Sequence, residues 1–190
     1  MKIKPRYYIT ADTHFGHKNI IEYAGRPFND VEEMNEALIR NWNDVVGPDD
    51  IIIHAGDFSF MKKNRVKSIV DRLNGRKWIV LGNHDRKCPD YWHELGFEHW
   101  FYQPILIKKW NIIISHEPLV NPPVLNLHGH THESSVSGDI PGRHFCVSVE
   151  QRDYKPWHLP YMQDISLTDI EQIIHPHYCS GLLESITALQ

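Results

Sequence analysis

The sequence predicts an α/β domain, and three observations carry that prediction. Six short apolar runs rich in β-branched and aromatic residues recur along the chain, several without alternation, as in strands covered on both faces. Amphipathic helical patterns lie between the early runs. Five of the runs end in a cluster of Asp, Asn or His.

The elements follow in order. YYITA (7–11) is the first strand. In DVEEMNEALIRNWNDVV (30–46), Val31, Met34, Leu38, Trp42 and Val45 fall at three-to-four spacing. Asp30 and Glu33 form a capping box there, and Gly47-Pro48 stops the helix. IIIHA (51–55) is the second strand, and 62–74 a second helix with Val66, Ile69, Val70 and Leu73 inward and Gly75 at its end. WIVLG (78–82) is the third strand, and IIIS (112–115), VLNLH (124–128) and FCVSV (145–149) follow in closer succession. A third helix is predicted near 166–175. YKPWHLPYMQ (154–163), with two prolines, reads as an extended wrap, and SGLLESITALQ at the end as a short helix or a frayed tail. No repeat, low-complexity tract or linker divides the 190 residues, so one domain, 1–190, is expected.

Composition narrows the class. A net charge of −4 gives no basic field for holding nucleic-acid backbone nonspecifically. The three cysteines, Cys88, Cys146 and Cys179, form no CxxC pair, so neither a disulfide framework nor a thiolate zinc site is expected. No run has the length of a signal peptide or a membrane span, and a reduced cytoplasmic setting is the simplest reading. Fourteen histidines then point to metal or proton chemistry with carboxylate and amide partners.

The strand ends carry that chemistry. Asp12-Thr13-His14 follows the first strand, Gly56-Asp57 the second and Gly82-Asn83-His84-Asp85 the third. His116 follows IIIS, and His128-Gly129-His130-Thr131-His132 follows VLNL. Ligands of open α/β sheets bind outside the carboxyl ends of strands, so five clusters spread over the chain can meet in one crevice. Asp, Asn and His without Cys favour a divalent cation such as Mn²⁺, Fe²⁺ or Zn²⁺. An aspartate whose two oxygens each bind a cation can bridge a pair of metals about 3.5–4 Å apart, the arrangement that clamps an in-line displacement at phosphorus. The Asp-x-His and His-x-His spacings would put alternate side chains on one side of an extended strand end. The glycines before Asp57, Asn83 and His130 allow sharp turns and close approach.

The ordered set ADTH, GD, GNHD, SHEP and GHTH resembles the calcineurin-like metallophosphoesterase superfamily. The continuation H-F-G-H-x-N-I narrows the likeness to its small bacterial and phage-encoded phosphoesterases. The motifs cover residues 9–132. The resemblance implies a four-layer α/β/β/α sandwich and two divalent metals, manganese first, with iron, zinc or nickel as alternatives. It implies Asp12, His14 and His132 on one metal, Asn83, His116 and His130 on the other, and Asp57 as the bridge. It further implies a water activated between the metals and His84 as the proton donor to the leaving group, with Asp85 orienting the His84 ring.

Other residues keep two readings. His17 and Asn19 either touch substrate phosphate or cap their loop. Arg86 and Arg26 either pair with a phosphate oxygen or are solvent-exposed, and His128 is read as structural. The aromatic residues of 91–102 and 154–161 stack on a base or cover the core, with core the default. GDFSFMKKNR and GNHDRK replace the GDxxDRG and GNHE of the superfamily's protein serine/threonine phosphatases, which disfavours that group. The expectation is a phosphodiesterase on a compact diester, a nucleotide or a nucleic-acid end. A phosphomonoesterase is the alternative, and a non-catalytic module, disfavoured by the intact motifs, comes third. Oligomeric state is left open.

Overall fold

A computed structural model describes residues 4–132, 143–160 and 167–173 of the chain. Two five-stranded sheets form its centre. In the first, β1 (Tyr7–Thr10), β2 (Ile51–His54), β3 (Arg76–Val80) and β4 (Phe97–Phe101) run parallel, and β9 (Trp157–His158) joins β1 antiparallel at the edge. In the second, β6 (Ile112–Ser115), β7 (Leu125–His128) and β8 (His144–Cys146) run parallel. β5 (Ile105–Ile107) pairs antiparallel with β6, and β10 (Ile170–Gln172) antiparallel with β5.

The unbroken apolar runs are explained by two cores. Tyr7, Ile9, Ile51, Ile53, Trp78 and Val80 face Ile105, Ile107, Ile112, Ile114 and Leu127 of the second sheet. The intervening Tyr8, Ile52 and Ile79 turn the other way, onto the helices. A strand buried on both faces has no polar side to reveal its period, and truncating Ile9 or Ile53 to Ala would cost about 2–5 kcal/mol.

Four helices lie on the first sheet: α1 (Ile20–Tyr23), α2 (Val31–Val45), α3 (Lys63–Val70) and α4 (Pro89–Leu95). Asp30 caps α2, its Oδ1 accepting the Glu33 N–H at 2.8 Å, a contact typically worth about 1 kcal/mol. The reciprocal half of the box is displaced by one residue, because Glu33 Oε2 accepts from the Asn29 backbone at 2.8 Å instead of from Asp30. α3 is shorter than 62–74: turns take over after Val70, and Gly75, at φ +86°, leads into β3. α4, which the sequence reading passed over, begins on Pro89 and ends at the left-handed Gly96.

Two sheets with flanking helices are the mixed α/β plan that the motifs imply. Among the described residues, every helix packs on the first sheet, and no described helix covers the second. The helix predicted at 166–175 is not formed where the chain is described. Leu167–Asp169 makes one 3₁₀ turn and Ile170–Gln172 is strand β10, its register running Ile170 opposite Ile107. The open edge of β5 offers backbone partners that outweigh a weak local amphipathic pattern. Within YKPWHLPYMQ, Trp157 and His158 extend along the edge of the first sheet between Pro156 and Pro160, where missing N–H groups cost least. Residues 161–163, 166, 174–175 and the C-terminal SGLLESITALQ lie outside the described residues. No helix among the described residues is long and apolar enough to cross a membrane. Cys88 is exposed and Cys146 buried, both as free thiols.

Candidate metal centre

β1, β2 and β3 are parallel, as are β6 and β7, so the loops after these five strands emerge at matching ends of the two sheets. Those loops carry the predicted ligands. They do not carry them on extended strand ends. Asp12, His14, Asp57, His130 and His132 all have positive φ, between 50° and 67°, a region that non-glycine residues rarely occupy. The strands stop at Thr10 and His128, and the chain then turns left-handed at alternate residues. Convergence is therefore produced by turns, not by strand alternation, and strain of this kind clusters at functional sites.

Two glycines matter through contact. A Cβ on Gly82 would collide with Asp57 Oδ1, and one on Gly129 with Asp12 Oδ2, so both loops approach too closely for any side chain. Gly56 adds a positive φ of 93°.

The ligand atoms gather around two carboxylate oxygens. Asp12 Oδ1 lies 3.8 Å from His14 Nε2, 3.9 Å from His132 Nε2 and 4.0 Å from His116 Nδ1. Asp57 Oδ2 lies 3.5 Å from His116 Nε2, 3.7 Å from His14 Nε2 and 3.9 Å from His84 Nε2. Asp12 Oδ2 is engaged elsewhere, accepting from the Ser148 hydroxyl at 2.6 Å and the His130 N–H at 3.0 Å. Asp57 Oδ1 accepts the His84 backbone N–H at 3.1 Å. A single Asp57 oxygen, rather than one for each cation, thus faces both groups of histidines.

These spacings are too long for hydrogen bonds and right for a shared cation. Two atoms each about 2.0–2.2 Å from one metal lie on the order of 3–4 Å apart. Asp12 Oδ1 and both ring nitrogens of His14 are buried without any hydrogen-bond partner, an arrangement costing about 1–3 kcal/mol per group unless something else binds there. Asp12, His14 and His132 form one group able to hold an ion, and Asp12, Asp57 and His116 another. His116 Nε2 also meets Asn83 Oδ1 at 2.8 Å and His130 Nδ1 at 3.2 Å. Since the Ala55 carbonyl at 3.0 Å can only accept, His116 Nδ1 carries its proton and Nε2 turns a lone pair toward Asn83. Two acceptors facing each other at that distance fit a divalent cation bound by both. Burial alone would raise the Asp12 carboxyl, but the imidazoles of His14, His116 and His132 and the Ser148 hydroxyl hold it well below the usual carboxylate range.

The remaining candidates separate. His84 stands at the rim, its side chain about half exposed, over Asp57. Asp85 does not orient the His84 ring: the two side chains share no hydrogen bond or ion pair. Asp85 is buried, and its oxygens accept the backbone N–H groups of Asp57 (2.5 Å), Gly82 (3.0 Å) and Phe58 (3.1 Å). Burial, with the nearby Asp57 charge, pushes its carboxyl up to about 6 despite those donors. Following a sharp turn, its side chain points back beneath the loop while His84 points out. His17 stacks on Phe60 at 4.2 Å and lies 5.6 Å from the His14 ring. Asn19 is exposed at the N-cap position of α1 and makes no capping bond. Arg86 is exposed and unpaired among the described residues. Arg26 is buried against Glu150 and so faces no phosphate. His128 is fully buried with Nδ1 at 2.9 Å from the Gly129 carbonyl.

Three residues near the site carry no motif. Phe60 is 41% exposed and lies against His14, His17 and His84. Ser148 and Glu150 hold Asp12 and His132, the latter at 2.9 Å from His132 Nδ1. Glu150 directly follows the sixth apolar run, so the rule that polar residues at strand ends build the site would have found it; Ser148 lies inside that run, which reads as strand to Val149, whereas β8 ends at Cys146.

Comparison with known proteins gives a family and several relatives. The calcineurin-like phosphoesterase family model matches residues 5–177. Uncharacterized protein MJ1445 of Methanocaldococcus jannaschii is 35% identical over 163 residues, covering 80% of this chain and 85% of its own. The gene 66 protein of Mycobacterium phage L5 is 36% identical over 85 residues, covering 43% of this chain and 41% of its own. Among solved structures, the protein of unknown function AQ665 from Aquifex aeolicus superimposes with a TM-score of 0.61 at 27% identity, over 81% of this chain and 95% of that one.

Proposed function

Because the chain belongs to the calcineurin-like phosphoesterase family, we propose that it hydrolyses phosphodiesters at a centre holding two divalent cations, manganese first among the candidates. One observation carries the reading: Asp57 Oδ2 lies within 3.5–3.7 Å of both His116 and His14, one from each ligand group. Asp12, His14 and His132 would hold one cation, Asn83, His116 and His130 the other, and Asp57 both. Bound there, such a pair supplies Lewis acidity toward phosphoryl oxygens and a water acidic enough to attack at neutral pH.

The chain's own residues do the rest. His84 presents Nε2 at the open side of Asp57, where it hands a proton to the departing oxygen. Asp85 ties the Asp57 loop to its own through the Asp57 and Phe58 N–H groups on one side and that of Gly82 on the other. Phe60 walls the space between His17 and His84 and limits where a substrate can lie. The GNHD motif favours a compact diester, such as a nucleotide or a nucleic-acid end.

With Mn²⁺, the protein should turn over bis-(p-nitrophenyl) phosphate faster than p-nitrophenyl phosphate. The reverse order would make it a monoesterase. No turnover of either with any divalent metal would make it a binding module.

A further inference from the structure

A buried ionic network outside the family motifs holds two of the predicted ligands together. Glu150 Oε1 accepts from Arg26 Nε at 2.9 Å, forms an ion pair with Nη2 at 2.7 Å, and lies 2.9 Å from His132 Nδ1. Arg26 uses its remaining donors on the strand end before His14: Nη2 reaches the Asp12 carbonyl at 2.7 Å and Nη1 the Thr13 carbonyl at 3.0 Å. The Arg26 side chain is fully buried and that of Glu150 is 11% exposed, so neither ion is merely a surface decoration. Residues far apart in the sequence, 12, 26, 132 and 150, are locked into one unit.

We infer that Glu150 and Arg26 are positioning residues that set the affinity of one metal position, the one formed by Asp12, His14 and His132. An ionised carboxylate only accepts, so Glu150 fixes the proton of His132 on Nδ1 and leaves Nε2, 3.9 Å from Asp12 Oδ1, as the ligand atom. A carboxylate behind a ligating imidazole also raises its basicity. His116, in the other group, is backed only by a backbone carbonyl, that of Ala55. The two positions are therefore built unequally. This inference rests on the two-cation reading above.

The test is release of Mn²⁺ from the loaded full-length protein during dialysis against graded EDTA, with bound metal counted per chain. The wild type should release two equivalents in separate steps. Glu150→Gln should release one equivalent at roughly 10–100-fold lower chelator activity and leave the other unchanged. Arg26→Met combined with Glu150→Gln buries no lone ion, keeps the fold, and should show the same early release. Either variant holding both metals as the wild type does would overturn the inference, as would equal weakening of both steps. A wild type that binds two metals but hydrolyses nothing would instead count against the proposed activity alone.

Discussion

Asp85 Oδ2 accepts the backbone N–H of Asp57 at 2.5 Å, so a residue adjacent in sequence to His84 supports the predicted ligand in the loop after another strand. That relationship reverses the expectation from sequence and separates two variants. Asp85→Asn removes an acceptor from beneath the Asp57 loop and should lose bound metal along with activity, as should Asp57→Asn. Metal analysis of the purified variants decides it: full metal content in Asp85→Asn with slow turnover would restore Asp85 to the role of orienting His84.

His84→Ala should keep its metals and lose about 10²–10⁴-fold in kcat. The loss should shrink for p-nitrophenolate, which leaves without a proton, and grow for an alkoxide leaving group. Equal losses for the two leaving groups would remove His84 from proton transfer.

Gly129→Ala places a methyl group against Asp12 Oδ2 and Ala11. The backbone there does not need a positive φ, so the effect should be local: displaced Asp12, weakened Mn²⁺ binding, and a modest fall in melting temperature. Unchanged Mn²⁺ retention in a chelator titration would refute the close approach.

His54 gives a pH dependence that does not involve a ligand. Burial lowers its pKa from 6.5 to about 3, and its Nε2 donates at 3.0 Å to the Thr13 hydroxyl, which itself donates to the Phe58 carbonyl. The unfolded chain takes up this proton near pH 6.5 and the folded one only near pH 3. Its contribution is thus whole above pH 6.5 and is lost as the pH falls through that window, at about 1.4 kcal/mol per unit. Urea denaturation at pH 7 and pH 5 should show the wild type losing about 2 kcal/mol more than His54→Gln, which retains a donor to Thr13. Parallel losses would show that His54 titrates normally.

Much of this molecule was legible in its sequence. Five of the six apolar runs are strands, the sixth is one only at Phe145 and Cys146 before Val149 enters a 3₁₀ turn, and the five motif clusters come together, because strand-end placement is a property of topology that order and spacing reveal. What stayed hidden depended on tertiary partners. β10 forms at 170–172 because β5 has an open edge, which no local pattern records. The direction of the Asp85 side chain follows from a turn, and the left-handed backbone at Asp12 and His132 is a conformation that non-glycine residue types do not announce. Arg26 was undecidable alone, since its partner Glu150 lies 124 positions away.

The central claim is tested most directly by anomalous diffraction from crystals of the Mn²⁺-loaded protein. The account predicts two manganese peaks about 3.5–4 Å apart, with one oxygen of Asp57 between them. A single peak, or none within reach of Asp57, would contradict it.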